Sequence, residues 1–520
     1  MATAGSGTSG SGAAGAGTVA AGPGRTGSPG EAGPGPTAPR PRTATIARTL
    51  RRRAGRPLPW TTPRLVRALT ALCLAALLGT GAAAAAVLTG ARADTDAIGH
   101  RDAPQAARAA DLYFALSDMD AQAANLLLLG ADPDFAPLRR QTLDTYEQRR
   151  TQADADLQQA AEAAAGDPAG QRAVHTVLGQ LGGYEALVAR AELLEEQAGA
   201  PAGQPSPAAL DAYRQATDLL RQRLLPAADE VGAASGATVD RVYGGGRAGL
   251  ATGRWWILGT GLLALAALAG LQRLLTVRYR RLVNPPLAAV TLLTVVALTV
   301  GLHLVTRADE HLVVAKSNAY DSVIALSRAR AVAYDLNADE SRYLTDPARA
   351  AAYQQSFLDK TQAVARVDGA TLADYNAGLA TVAGRHRADH AAVPFGGFLG
   401  TELRNITFPG EQEAAERVLA AFQAYQLDDR RIRELRDAGR LKEAVTLNTG
   451  LAPGQSNYDF ERLARAIGDT LDVNARAMDE AVAKTGSDLD TTTAALGALT
   501  LAASLALTAL GVRPRLREYR

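Results

Sequence analysis

A single cysteine, Cys73, stands in 520 residues. That excludes an internal disulfide and any cysteine-built zinc site. Aromatic residues make up only 5 %. Alanine and leucine carry the apolar content and β-branched runs are few, so the chain favours helix. Lysine is confined to Lys316, Lys360, Lys442 and Lys484, and arginine supplies the rest of the positive charge. Six histidines leave little room for general-base chemistry. There is no G-x-x-x-x-G-K-[ST], no G-x-G-x-x-G followed by a strand, no H-E-x-x-H and no nucleophile elbow. An enzyme is therefore not expected. No cofactor and no nucleic-acid partner are expected either, and the net charge of +2 is near neutral.

What the chain has in excess is long apolar runs, at approximately 65–89, 255–272, 287–305 and 492–512. Each is close to the ~20 residues that cross a ~30 Å hydrocarbon core as helix. None holds an acid or a lysine in its middle, and His303 is the only ionisable candidate near one, which disfavours an ion carrier. The first run follows more than 60 residues and outruns signal-peptide length, so it is expected to be a retained anchor. Arg48, Arg51, Arg52, Arg53, Arg56, Arg64 and Arg67 precede it. Arg273, Arg278, Arg280 and Arg281 link the second and third runs, and Arg513, Arg515, Arg517 and Arg520 follow the fourth. Positive residues at membrane ends stay in the cytoplasm. The expected plan is then a cell-membrane, multi-pass chain with both termini cytoplasmic. A Gly/Ala/Pro-rich tail over 1–62 is too poor in bulky apolar residues to fold. Spans lie at 63–90, 254–272, 287–305 and 491–512. An arginine hairpin occupies 273–286 and a basic tail 513–520, and two long segments, 91–253 and 306–490, lie outside.

The two outer segments read as one unit repeated. Matching "GADP" (130–133) to "LTDP" (344–347) sets an offset of 214. Matching "GYEALVARAELLEE" (183–196) to "AYQLDDRRIRELRD" (424–437) sets 241, so an insertion lies at 384–412. Period-scale similarity of this kind marks a repeated architecture. Ala109, Leu112, Leu116, Met119, Ala123 and Leu126 recur at spacings of three and four, an amphipathic stripe facing a bundle core. Asp132–Pro133 and Asp346–Pro347 stop one helix and start the next. About four helices per segment are expected. The first, of ~37 residues and ~55 Å, runs straight out of a membrane span. "YGGGRAGLATG" (243–253) is a candidate hinge into the second span. The fold class is all-α: four membrane passes and two four-helix-bundle-like domains in a duplicated span–bundle–span arrangement.

Under the offset of 214 the stripe of the second segment becomes Val323, Leu326, Arg330, Ala333, Asn337 and Glu340. Arg330, Asn337 and Glu340 share one face. An arginine fork for a carboxylate beside a glutamate for an ammonium would suit a free amino acid, which makes these three the candidate ligand-binding residues. The alternative is a slight rotation of the stripe, with Ala329 and Leu336 facing in and Arg330 and Asn337 solvated. In the insertion, Phe395, Phe398 and Phe408 with nearby glycines form a candidate docking surface for another protein, or else a cap on the bundle. His386 and His390 could supply half a metal site. No acid and third histidine accompany them at a fitting spacing, so a solvated pair and no metal are expected. Tyr184 and Tyr425 are expected in the core with satisfied hydroxyls. Asn405 opens a glycosylation-type triplet expected to be irrelevant.

An up-down bundle anchored at both ends, with "TLNTG" (446–450) before a last helix carrying "DVNARAMDEAV" (472–482), resembles the four-helix-bundle sensor domains of chemoreceptors and histidine kinases. Four passes, two external helical segments and a minimal interior over 65–512 resemble the four-pass membrane component of the actinobacterial glutamate-sensing relay (GlnX-like). That resemblance implies glutamate or aspartate sensed directly or through an external amino-acid-binding lipoprotein. It also implies a soluble cytoplasmic kinase as partner. Since the chain ends soon after the last span, output is expected through a separate partner at the hairpin arginines Arg273, Arg278, Arg280 and Arg281, or through lipid affinity. Helical sensors of this kind are often homodimers. The rival expectation is an envelope scaffold with helical spacers.

Overall fold

The computed structural model describes residues 62–164, 167–279, 284–488 and 490–517. The tail up to residue 61 and the hairpin residues Arg280 and Arg281 lie outside the described residues. Fifteen α-helices are defined among the described residues, with a single isolated β-bridge, Arg366 to Gly396.

Helix α1 (Thr62–Ala97) passes through a π turn (Ile98–Asp102) into α2 (Ala103–Leu129). The rod from Arg64 to Leu129 covers 66 residues, about 100 Å at 1.5 Å per residue. Gly130 ends it with φ of 57°, a conformation glycine adopts without steric cost. Asp132 then accepts a bond from the amide of Asp134 and opens a 3₁₀ turn with Pro133 in its first position. The Asp–Pro stop acts as the sequence implies. Helix α3 (Ala136–Ala163) returns, and α4 (Pro168–Ala198) goes out again from an Asp167 cap. Helix α5 (Pro207–Leu219) starts at a Ser206 cap and runs through a second π turn (Leu220–Leu224) into α6 (Leu225–Tyr279). Helices α2 to α6 close an up-down bundle. Ala109, Leu112, Leu116, Met119 and Ala123 lie in its core with Tyr184 and Tyr213.

The second half opens in the same way, with a helix, a π turn, a helix and a 3₁₀ turn, and then differs. Helix α7 (Pro285–Val313) passes through a π turn (Val314–Tyr320) into α8 (Asp321–Thr345), which a 3₁₀ turn capped by Asp346 ends. Shorter helices follow: α9 (Ala350–Val364), α10 (Tyr375–Ala388) and α11 (Gly397–Arg404). Then come α12 (Glu411–Asp437), α13 (Leu441–Thr449), α14 (Ser456–Asp488) and α15 (Thr491–Arg517). The insertion is therefore folded. Helix α11 sits against α8 and α12, and the Asn405 amide donates to the carbonyls of Ser317 (3.3 Å) and Asn318 (3.0 Å) in the π turn. A π turn frees carbonyls from the usual i→i−4 ladder, and Asn405 takes up two of them. That engagement accounts for the residue without any glycan.

Among the described residues four helices are long and apolar enough to cross a membrane: those spanning Arg64–Leu129, Pro207–Val277, Pro285–Thr345 and Ser456–Pro514. In their apolar stretches α1 packs on α6, α6 on α7, α7 on α15 and α15 on α1. Cys73, Leu77, Leu268, Leu287 and Val512 form the shared interior, while Leu72, Leu262, Leu292, Val296 and Leu499 point outward. Trp255 and Trp256 are both exposed at the start of the apolar stretch of α6, a position that suits amphipathic rings at a membrane interface.

The expected hinge at 243–253 is not one. α6 runs through it as unbroken helix. The glycines have divided roles. A side chain at Gly253 would overlap Val87 of α1, whereas Gly244 and Gly245 face open space. Close approach through small residues is the usual device for packing membrane helices. Gly253→Val is therefore expected to force α1 and α6 apart and cost about 1–3 kcal/mol. Gly244→Ala should hold or raise stability by up to about 1 kcal/mol, through helix propensity. Thermal melting of the full chain in detergent orders the two; equal melting temperatures would contradict the packing role.

Candidate functional site

The two inter-span segments share one interface, built on α2 against α8. Asp335, Asp339 and Arg342 are spaced four and three apart, which sets them on one face of α8. Asp120 of α2 faces them. The Arg342 side chain has no exposure. Its guanidinium pairs with Asp120 across the interface and with Asp339 and Asp335 (3.2 Å) on its own helix. Its Nε donates to the Tyr213 hydroxyl at 3.1 Å. Asp120 also accepts from Thr217 (2.7 Å) and Tyr184 (3.2 Å). Lys360 of α9 closes the group from the solvent side, 2.7 Å from Asp335. Burial pushes the Asp335 carboxyl upward, but Lys360 and Arg342 outweigh it and hold the group below the ordinary carboxylate range. Two cations thus meet three carboxylates out of water.

Further bonds flank this cluster. Arg214 grips Asp346 at 2.6 and 2.8 Å, Arg349 reaches Asp218 at 3.0 Å, and Ser341 donates to Asn125 at 2.6 Å. Below it, toward the membrane, a cleft of about 860 Å³ opens between the segments. One wall is α2 and α6, the other is α8, and Arg221 and Lys316 project from two of the π turns. Its lining alternates alanine and glycine with charge. Lys316 lies 2.8 Å from Asp240 and 3.1 Å from Asp321, and Arg328 lies 3.7 Å from Asp229. Asp335 lines the top of the cleft, so the same residue belongs to the cleft and to the buried cluster. A small molecule carrying charges of both signs would find partners here.

The residues singled out from the sequence take other places. Arg330 pairs with Asp111 of α2 and lies 4.3 Å over the Phe114 ring. Asn337 is buried and donates to Asn457 at 3.0 Å. Glu340 is buried and accepts from Ser456 at 3.0 Å. Burial, reinforced by Asp429, drives its carboxyl well above the usual range, the opposite of what a partner for an ammonium needs. None of the three lines the cleft, because each is engaged at a helix contact. Ala329 and Leu336 both face inward, as the rotated stripe requires, but Asn337 is buried and Arg330 is mostly covered rather than solvated. Phe395 is buried in the second core, Phe408 packs on the juxtamembrane core, and Phe398 lines the cleft. Phe395 is thus enclosed, whereas Phe398 and Phe408 are only partly buried. Tyr184 has its hydroxyl partner; the Tyr425 hydroxyl is buried without one of normal geometry. Arg273 lies in α6, and Arg278 in the same helix near its end. Arg342 and Asp120 escaped the sequence analysis. The available signal was the i, i+4, i+7 row of Asp335, Asp339 and Arg342.

Two outcomes follow. Arg342→Met leaves three buried carboxylates with Lys360 alone and should cost about 3–5 kcal/mol. Lys360→Met should cost less, since Lys360 sits at the edge. Unfolding of the two variants in detergent checks the order. Separately, burial raises Glu402 to about 7, with Glu411 as its neighbour. The folded state then holds a proton that the unfolded state has released, so stability falls as pH climbs from about 5 to about 8. Asp156 and Asp428, each raised to about 6, act in the same direction. Glu402→Gln should flatten part of that slope in a melting series; an unchanged slope would contradict the assignment.

Residues 94–244 match the family described as an actinobacterial sensor domain. The matched stretch begins at the end of α1 and stops within α6, so it covers the first segment and one wall of the cleft. No curated protein and no solved structure matches the chain. The match supports a role in sensing and signal transduction for this four-pass membrane protein.

Proposed function

We propose that the chain senses a small zwitterionic cue in the cleft between its two inter-span segments and transmits the event through its membrane helices to a separate cytoplasmic partner. One observation carries this reading: both walls of the cleft continue into membrane spans. Helix α6 runs unbroken from the cleft through its apolar stretch, and α8 joins α7 through the π turn that presents Lys316. A ligand that draws α6 and α8 together shifts two packed helices, a recognised form of switching. π turns recur at functional sites because their looser ladder tolerates rearrangement.

The arginines flanking the spans in the sequence support an orientation with both segments outside the cytoplasm and both termini inside. Lys316 would meet a carboxylate of an acidic amino acid such as glutamate or aspartate, and Asp240 or Asp321 its ammonium. The shared opening order of elements in the two halves is what an internal duplication would leave. The cytoplasmic partner, a Ser/Thr kinase by resemblance, would engage the hairpin that follows Arg273. An external binding lipoprotein is supported by the resemblance alone.

The test is thermal melting of the full chain in detergent against a panel of free amino acids. The whole chain is needed because the second segment buries its α8 against α2. Binding at a hundred times Kd adds about 2.7 kcal/mol. A selective rise with an acidic amino acid is expected, lost in Lys316→Gln. A flat panel would remove direct sensing at the cleft.

A further inference from the structure

His386 closes the last turn of α10, and His390 follows in the loop after it. Glu416 comes from α12, outside the window where a sequence search for a third ligand would look. The fold brings the three together: one donor atom from each lies within 4.8 Å of the others. The chemistry of His386 is the informative part. Its ring is 1 % exposed. Nδ1 lies 2.9 Å from the Ala392 carbonyl oxygen. A carbonyl only accepts, so Nδ1 carries the ring proton and Nε2 of the neutral imidazole is left with a lone pair. That Nε2 is buried with no hydrogen-bond partner, and it faces the Glu416 carboxylate at 3.5 Å. An acceptor is thus aimed at an acceptor across a gap. A cation between them resolves the arrangement.

We propose that His386, His390 and Glu416 form a transition-metal site, with zinc the class of ion that suits it. Two imidazoles and one carboxylate are a common zinc donor set that leaves a fourth position open. The bond from His386 Nδ1 to a backbone carbonyl is the usual outer support that orients a ligating ring. The Gln412 amide donates to Glu416 Oε1 at 2.9 Å and steadies the carboxylate in the same way. His390 Nδ1 lies 2.6 Å from Glu416 Oε1. It is half exposed, on a loop, and free to turn toward an ion. Zinc bonds of ~2.0–2.2 Å set tetrahedral donors roughly 3.3 Å apart. His386 Nε2 already stands 3.5 Å from Glu416 Oε1, the His390–Glu416 pair opens slightly from 2.6 Å, and the widest separation, within 4.8 Å, closes by up to about 1.5 Å. The ion would pin the loop 389–396 to α12. The fourth position would be available to water or to a ligand atom of another molecule. The site lies apart from the residues that line the cleft, and its failure would leave the sensing proposal untouched.

The full chain, purified in detergent with its affinity tag removed and stripped with chelator, is titrated with zinc chloride by calorimetry. Cobalt(II) is added in a parallel sample for its visible absorption. One zinc per chain is expected, together with the intense bands of a tetrahedral cobalt centre. His390→Ala and Glu416→Gln, both at partly exposed positions, should each weaken zinc binding at least about tenfold while melting like the parent without metal. Absence of zinc binding, absence of tetrahedral cobalt bands, or affinity unchanged in both variants would overturn the proposal. The cobalt spectrum of the unmutated chain keeps it testable even if a variant misfolds.

Discussion

One buried guanidinium ties the two halves of this protein together. Arg342 is fully enclosed, and its carboxylates come from both segments: Asp120 from α2, Asp335 and Asp339 from α8. A charge removed from water is costly unless it is paired and its donors are satisfied. Once α8 carries Arg342 inward, α2 must bring Asp120 to meet it. That fixes the rotation of both helices and, with them, which faces are left to line the cleft. Tyr184, Tyr213 and Thr217 of the first bundle converge on the same point, so its helices α4 and α5 are held in register as well.

The halves are joined both above and below the cleft. Above it Arg214, Arg349 and Ser341 bridge them. Below it a juxtamembrane core that includes Ile98, Leu250, Val305 and Leu312 joins them, with Arg247 3.0 Å from Asp309 and Tyr243 3.2 Å from Ser317. Asn405 holds the loosened carbonyls of the 314–320 turn. The alanine and glycine walls carry little side-chain bulk, which leaves the room that the cleft occupies.

Much of the architecture was legible in one dimension. The four apolar runs became four candidate spans, and the Asp–Pro pairs became capped helix stops at 132–133 and 346–347. The stripe from Ala109 to Ala123 became the first core. Each of these depends on neighbours within a few turns of one helix, so periodicity suffices. The site was less legible. Arg330, Asn337 and Glu340 were read as an open face, yet each is consumed by a contact: with Asp111, with Asn457 and with Ser456. The glycines at 243–253 read as a hinge, but Gly253 exists to let Val87 approach, and Val87 belongs to a helix far earlier in the chain. The phenylalanines of the insertion read as a docking tip, though the loop folds back over its own core.

The sequence by itself determined the helical class, the number and place of the spans, and the breaks between helices, because hydropathy, capping and proline act locally. Tertiary structure alone decided which charges are buried, which helices form the walls of the cleft, and that Glu416 stands beside His386 and His390. Those outcomes depend on pairings between residues tens to hundreds of positions apart. Local pattern carries no information about them; the match of charge to charge and bulk to gap across helix contacts settles them when the chain closes on itself.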